Sequence, residues 1–412
     1  MQAFAFSGLL LVLMNFSGPA GGMIDIPVTF FLKNRMHLQS NELAVFKLWI
    51  GLPLIFGFVF GFIRDRWSPF GRGDRAHLVL FGLVTALIYG TMALAAPTYA
   101  LFLGGLFLAT MAFRMVSSAV YGLTNTLAQR HAVSGQMSSV INMGSALPDL
   151  LSFLGGGLLS QTLEGQGATA AAQILFFCAG GLMASVALLA VVGPKWVFDE
   201  GRHDVENVHV VEDLKRIVRH WPIYPAMLIQ LMWQFSPGTG TVLQYHIVDH
   251  LHATDTQWGA WQGIFFGSFL PIYALYGWLG QKVALRILLW VGFGLAVFQM
   301  APLLLVHDAV GALMAAVPMG ILGGIAQAAL VDLVIRSAPR GCQGTMMMLF
   351  YAFYYFSVRA GDILGTWIYD KHGGFMPTVV VTILVYVLIL PVILLVPRRL
   401  TTTRDGEIIA AA

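Results

Sequence analysis

The chain has 412 residues, 58% of them hydrophobic and only 10% charged, with a mean hydropathy of +0.76. So little charge cannot cover a water-facing surface, which excludes a soluble globular protein and makes lipid the solvent. The net charge of +3 follows from membrane orientation and implies no nucleic-acid partner.

Lipid offers no partner to an unpaired backbone amide, so the spans must be helices or a closed barrel. Barrel strands alternate polar and apolar residues over about ten positions. Segments such as residues 287–306 and 378–396 are instead almost continuously apolar and long enough to cross as helices. In chain order, the apolar runs predict spans at residues 5–31, 42–63, 76–95, 99–128, 135–160 and 171–193, then 222–249, 257–280, 287–306, 309–335, 343–369 and 375–397. No basic segment precedes the first run, which flows into a full-length span and reads as the first helix rather than a signal peptide. The polar stretch at 194–221 reads as a linker. The expected architecture is therefore an all-α integral membrane protein of twelve transmembrane helices. They form two pseudo-symmetric six-helix bundles, residues 1–193 and 222–412, the second ending in a short tail.

Alternate connections and the tail carry most of the 23 basic residues, including Arg64, Arg66, Arg72, Arg75, Arg130, Lys215, Arg216, Arg336, Arg340, Arg398 and Arg399. The positive-inside rule then places both termini in the cytoplasm of a multi-pass protein of the cell inner (plasma) membrane. Cys178 and Cys342 fall on different spans, so no disulfide framework is expected.

The halves can be laid on one another at an offset of about 209 to 219 residues. Phe16-Ser17-Gly18-Pro19 faces Phe235-Ser236-Pro237-Gly238, and Met36-His37 faces Leu251-His252. Gly61 with Asp65-Arg66 faces Gly277 with Gln281-Lys282, and Arg130 followed by Gly135-Gln136-Met137 faces Arg340 followed by Gly344-Thr345-Met346. Gly and Pro interrupting corresponding helices point to a binding cavity, because loosened backbone at membrane depth must line a cavity or be buried in protein. Packing kinks are the alternative. Glycines four apart, such as Gly320 and Gly324 or Gly361 and Gly365, are expected to let helices approach closely.

Ionisable residues inside spans are costly unless paired or wet, and each is a site candidate. Arg114 in span four is a substrate-anion or proton-relay candidate, or the ion-pair partner of Asp149 in span five, which follows Pro148 and is a candidate proton carrier. Arg359 and Asp362 are three apart on one face of span eleven and either serve the site or neutralise each other. Asp25 and Lys47 can bridge spans one and two or contact substrate. His246, Asp249 and His250 have a spacing compatible with metal, but a wet helix end explains them better, and no metal or cofactor is expected. No GxxxxGK[ST], H-E-x-x-H or G-x-S-x-G motif occurs, so neither an ATP-driven pump nor an enzyme is expected.

The stretch Gly61-Phe62-Ile63-Arg64-Asp65-Arg66-Trp67-Ser68-Pro69-Phe70-Gly71-Arg72 resembles the signature between helices two and three of the major facilitator superfamily. Ser68-Pro69-Phe70 read as an insertion in it, and Arg64 stands where a small residue is usual. The resemblance implies that Asp65, Arg66 and Arg72 form a charged latch that gates the cytoplasmic side. Phe30-Phe31-Leu32-Lys33 and Ser236-Pro237-Gly238-Thr239-Gly240-Thr241 are similar to the folate-biopterin transporter branch, while Asp65, Ser68, Gly71 and Arg75 are shared with a branch that assembles light-harvesting complexes. The expected function is alternating-access secondary transport of a small organic solute, with protons as coupling ion, by a symporter or antiporter acting as a monomer in the bilayer. The alternative is a non-transporting assembly or pigment-delivery factor on the same fold.

Overall fold

A computed structural model describes residues 2–38, 40–164, 168–200, 215, 217–371 and 373–407. All regular elements within them are helices. Twelve segments follow the predicted spans: α1 (Gln2–Phe16 and Gly22–Phe30), α2 (Ser40–Ile55 and Gly57–Arg66), α3 (Asp74–Leu94), α4 (Tyr99–Arg130), α5 (Ser134–Glu164) and α6 (Ala168–Val192) in the first half. The second half holds α7 (Ile223–Gln234 and Gly240–Tyr245), α8 (Asp255–Lys282), α9 (Leu285–Ala296), α10 (Ala309–Ser337), α11 (Gln343–Lys371) and α12 (Phe375–Ile393). Among the described residues, eight helices are long and apolar enough to cross a membrane by themselves. Both α1 and α7 are broken into shorter pieces and are not among the eight. Most of the linker expected at 194–221 lies outside the described residues.

The chain forms two compact units. The first comprises Met1–Leu127, Gly144–Val208 and Gly341–Met348, and the second Ala128–Met143, His209–Arg340 and Leu349–Ala412. In the first, α3 packs along α6, with Gly82 admitting Ala187 of the facing helix. In the second, α10 lies between α8 and α9, and Gly324 and Gly292 allow these contacts, since a Cβ on either would run into Ile272 or the α10 backbone at Ala326. Each unit thus takes in a short segment from the other sequence half: the start of α11 joins the first unit, and the α4–α5 junction joins the second.

The repeat survives in backbone detail. A π-helical turn follows α1 at Phe31–Arg35 and α7 at His246–His250. The turns close identically, with the amides of Met36 and Leu38 donating to Phe31 and Leu32, and those of Leu251 and Ala253 to His246 and Ile247. His37 and His252 then both take left-handed conformations at φ 55°. Left-handed backbone is uncommon outside glycine, so its recurrence at equivalent positions reports a shared fold.

Candidate functional site

At the end of α2, Arg64 and Asp65 are both buried. The Arg64 guanidinium forks onto Asp74 at the start of α3, with Nε 2.6 Å from Oδ1 and Nη2 on Oδ2, while Nη1 donates to Asp65 Oδ1 at 2.7 Å. Gly122 of α4 makes room, because a Cβ there would stand 2.5 Å from the Arg64 Cζ. Asp65 also accepts from the backbone of Gly344 at 3.1 Å and from the amide and hydroxyl of Thr345, each at 2.7 Å. Those amides belong to the first turn of α11, where helical geometry leaves N–H groups without partners and the helix dipole favours negative charge. Gly61 lets the helices meet, its missing Cβ leaving space for the Gly344 carbonyl. Arg66 donates to Cys342 Sγ at 3.6 Å.

The second unit holds a matching cluster. On α10, Arg336 Nε donates to Asp332 Oδ1 at 2.7 Å, and Tyr276 of α8 donates its hydroxyl to Asp332 Oδ2 at 3.0 Å. Arg336 Nη2 also reaches Asp405, in the segment after α12, at 3.3 Å. Asp405 in turn accepts from the amides of Gly135 at 3.0 Å and Gln136 at 2.8 Å, in the first turn of α5. Burial and the Asp332 carboxylate push the Asp405 carboxyl above the usual carboxylate range, against the pull of those amides and of Arg336. Each unit therefore contains two buried carboxylates around one arginine, with one carboxylate capping a long helix.

The broken helices are supplied with partners. In α1 the Ser17 carbonyl freed by the break accepts from the Tyr89 hydroxyl at 2.8 Å, and Asn15 donates to the Gly144 carbonyl at 3.1 Å and accepts from Tyr121 at 3.3 Å. In α7, Gly238 donates its amide to Thr382 at 2.9 Å, and Asp362 accepts from the amide and hydroxyl of Thr241 at 2.9 and 2.8 Å. Gly361 and Gly365 leave room on α11 for the α7 backbone at Ser236 and Pro237. Beside this break, Trp233 and Gln234 both donate to Gln327 Oε1, at 2.7 and 3.3 Å, while the Gln327 amide reaches Asn142 at 3.4 Å.

The candidates named from sequence therefore separate. Lys47 and Asp25 meet at 3.8 Å, both about one-third exposed. Asp362 binds Thr241 instead of Arg359, which is exposed and has no ion pair among the described residues. Arg114 is buried on α4, and no ion pair joins it to Asp149 among the described residues. Asp149 is half-buried on α5. Arg72 is exposed beside a groove with Phe70, Val79, Leu83 and Phe198, outside the hydrogen-bonded cluster around Asp65. His246 stacks face to face on Phe375 at 4.0 Å, and no metal-binding group of acidic, His and Cys residues occurs among the described residues. Sequence reasoning missed Asp74, Asp332 and Asp405 and read Arg336 only as a topology signal. The i, i+4 spacing of Asp332 and Arg336 inside an apolar run was the available clue.

A polytopic helical bundle with a twofold internal repeat, paired broken helices and buried charges at helix starts defines a membrane transporter rather than an enzyme. The Major Facilitator Superfamily description matches residues 53–361, and the chain belongs to that family of secondary transporters. Solved structures agree on the fold. One is the Major Facilitator Superfamily transporter FucP in its outward conformation, at 16% identity and a TM-score of 0.73, covering 97% of this chain and 99% of that one. Another is the proton:xylose symporter XylE bound to 6-bromo-6-deoxy-D-glucose, at 13% identity and a TM-score of 0.71, covering 98% of each chain. No curated protein matches.

Proposed function

We propose that the chain carries a small organic solute across the cell inner membrane by alternating access, coupled to protons, with residues 1–193 rocking against 222–412 and both termini in the cytoplasm. The observation that carries this reading is the pair of capping carboxylates. Asp65 binds the start of α11, and Asp405 binds the start of α5. Each bond joins parts of the chain from opposite sequence halves, so rocking must break and remake both. Asp65 and Arg66 serve as the gate, with Arg72 at its margin.

Arg114 is the proposed contact for solute, because it is a buried cation on α4 and an ionisable residue within a span is a site candidate by default. Asp149 is the proposed proton carrier, because a half-buried carboxylate without a basic partner among the described residues gains most from taking up a proton. A proton:xylose symporter among the structures of similar fold supports proton coupling. A pterin- or folate-like solute is the finer reading, on the short similarities at residues 30–33 and 236–241.

Uptake into liposomes under an imposed proton gradient tests the proposal, with pterins, folates, sugars and organic acids as candidate solutes. The expected result is gradient-driven uptake of one class, lost in Arg114→Ala and uncoupled from the gradient in Asp149→Asn. Uptake indifferent to the gradient and to Arg114→Ala removes the mechanism. Absence of flux together with a co-purifying pigment or membrane partner supports an assembly factor instead.

A further inference from the structure

We propose that Asp405 is a positioning residue that holds the start of α5 closed, so that the segment after α12 supplies the second half of the chain with the latch that Asp65 supplies to the first. The inference rests on the carrier reading.

The repeat equates Gly135-Gln136 with Gly344-Thr345, the two pairs of capped amides. The turns before them also correspond, with Ala132 at φ 54° and Gly341 at φ 82°. The residue facing Asp65 in the repeat is Gln281, which has no charge and donates its side chain to Gly277 of its own helix at 3.1 Å. The second half therefore lacks a loop carboxylate for this task, and Asp405 takes it.

An ordinary solvated tail would not be held as this one is. The Asp405 side chain is fully buried. The Asp405 amide donates to the Gly280 carbonyl at 3.0 Å, and the Gly406 amide to the Ala132 carbonyl at 2.7 Å. Arg336 Nη1 donates to the carbonyl and hydroxyl of Thr403 at 2.8 and 3.0 Å. The charged and titratable groups facing Asp405 are Arg336, Asp332 and Tyr276. Gly280 and Arg336 come from the second sequence half and Ala132, Gly135 and Gln136 from the first, so one short segment ties the two together.

Two buried thiols report on opening, in purified full-length protein carrying Cys178→Ser. Cys342 is native and lies in the Asp65 cluster. Ser138→Cys, made with Cys342→Ser, replaces a buried hydroxyl that donates to Ala328 at 2.6 Å. Maleimide labelling is measured for Asp405→Ala and for a chain ending at Thr403. Both are expected to speed labelling of both thiols together, by about fivefold or more. Asp405→Asn, which keeps one acceptor oxygen, gives an intermediate rate and stands in should alanine misfold, and Asp405→Glu keeps most of the protection. Unchanged rates overturn the proposal, as does faster labelling at position 138 alone, which would mean that the tail merely seals its own surroundings. Labelling needs no solute, so failure of the transport assay leaves this result standing.

Discussion

Asp65 Oδ2 accepts both the backbone amide and the side-chain hydroxyl of Thr345, each at 2.7 Å. The other oxygen, Oδ1, accepts the Gly344 amide at 3.1 Å and holds Arg64 at 2.7 Å, so the two oxygens share the first turn of α11. Asp65→Ala leaves two buried amides without an acceptor and unbalances Arg64, a loss expected to cost about 3–5 kcal/mol. Asp65→Asn should cost less, and Thr345→Val, which removes only the hydroxyl, about 1 kcal/mol. Thermal unfolding in detergent ranks the three, and an equal effect of all three would show that the amide caps carry no weight.

Gly122 is the space in which the Arg64 guanidinium lies. Gly122→Ala overpacks a site whose neighbour is tied to two carboxylates, with an expected cost of about 1–3 kcal/mol. Gly90, with nothing near its absent Cβ, is the control. In a helix interior Gly90→Ala should stabilise by roughly 0.5–1 kcal/mol. A melting temperature that moves the same way in both variants would contradict the packing described at Gly122.

Asp362 caps the second piece of α7 from a neighbouring helix. Asp362→Ala strips the Thr241 amide of its acceptor, an expected loss of about 0.5–2 kcal/mol, and Thr241→Val removes only the hydroxyl bond. If Asp362 acts solely as a cap, uptake tracks stability in both variants. If uptake collapses in Asp362→Asn while the melting temperature holds, the carboxylate also serves coupling.

The raised position of Asp405 sets a sign for pH dependence. The folded tail holds its proton more tightly than solvent does, so its stabilising contribution is full below the ordinary carboxylate value of 3.8 and fades as pH rises through the elevated one. The stability of the wild type relative to Asp405→Asn should therefore fall as pH rises above the ordinary carboxylate value of 3.8. Asp332→Asn removes the repelling carboxylate and should flatten the trend. A relative stability that climbs with pH would reverse the assignment.

The bridge between Lys47 and Asp25 is long and about one-third exposed on both sides. Lys47→Met or Asp25→Asn should change stability by less than about 1 kcal/mol. A large loss of uptake in either variant would then mark the pair as a solute contact and not a brace.

The twelve spans, the all-helical fold and the repeat were legible in the sequence. Lipid forces continuous apolar runs and internally bonded backbone, and that constraint is written residue by residue along the chain. The pairing of Met36-His37 with Leu251-His252 marks a turn that both halves share, although its left-handed backbone is visible only in the structure. Partners of the buried charges were a different matter. Asp65 was legible through a local motif, but its acceptor role toward Gly344 and Thr345 depends on residues far along the chain, and so does the reach of Asp405 to Gly135 and Gln136. Arg359 and Asp362 share a helical face, yet Asp362 turns to Thr241. Helical periodicity determines which side of a helix a charge occupies. Only the packing of helices from distant parts of the chain decides which amide or guanidinium stands opposite, and in a low-dielectric interior that choice determines whether the charge braces the fold, gates it or carries a proton.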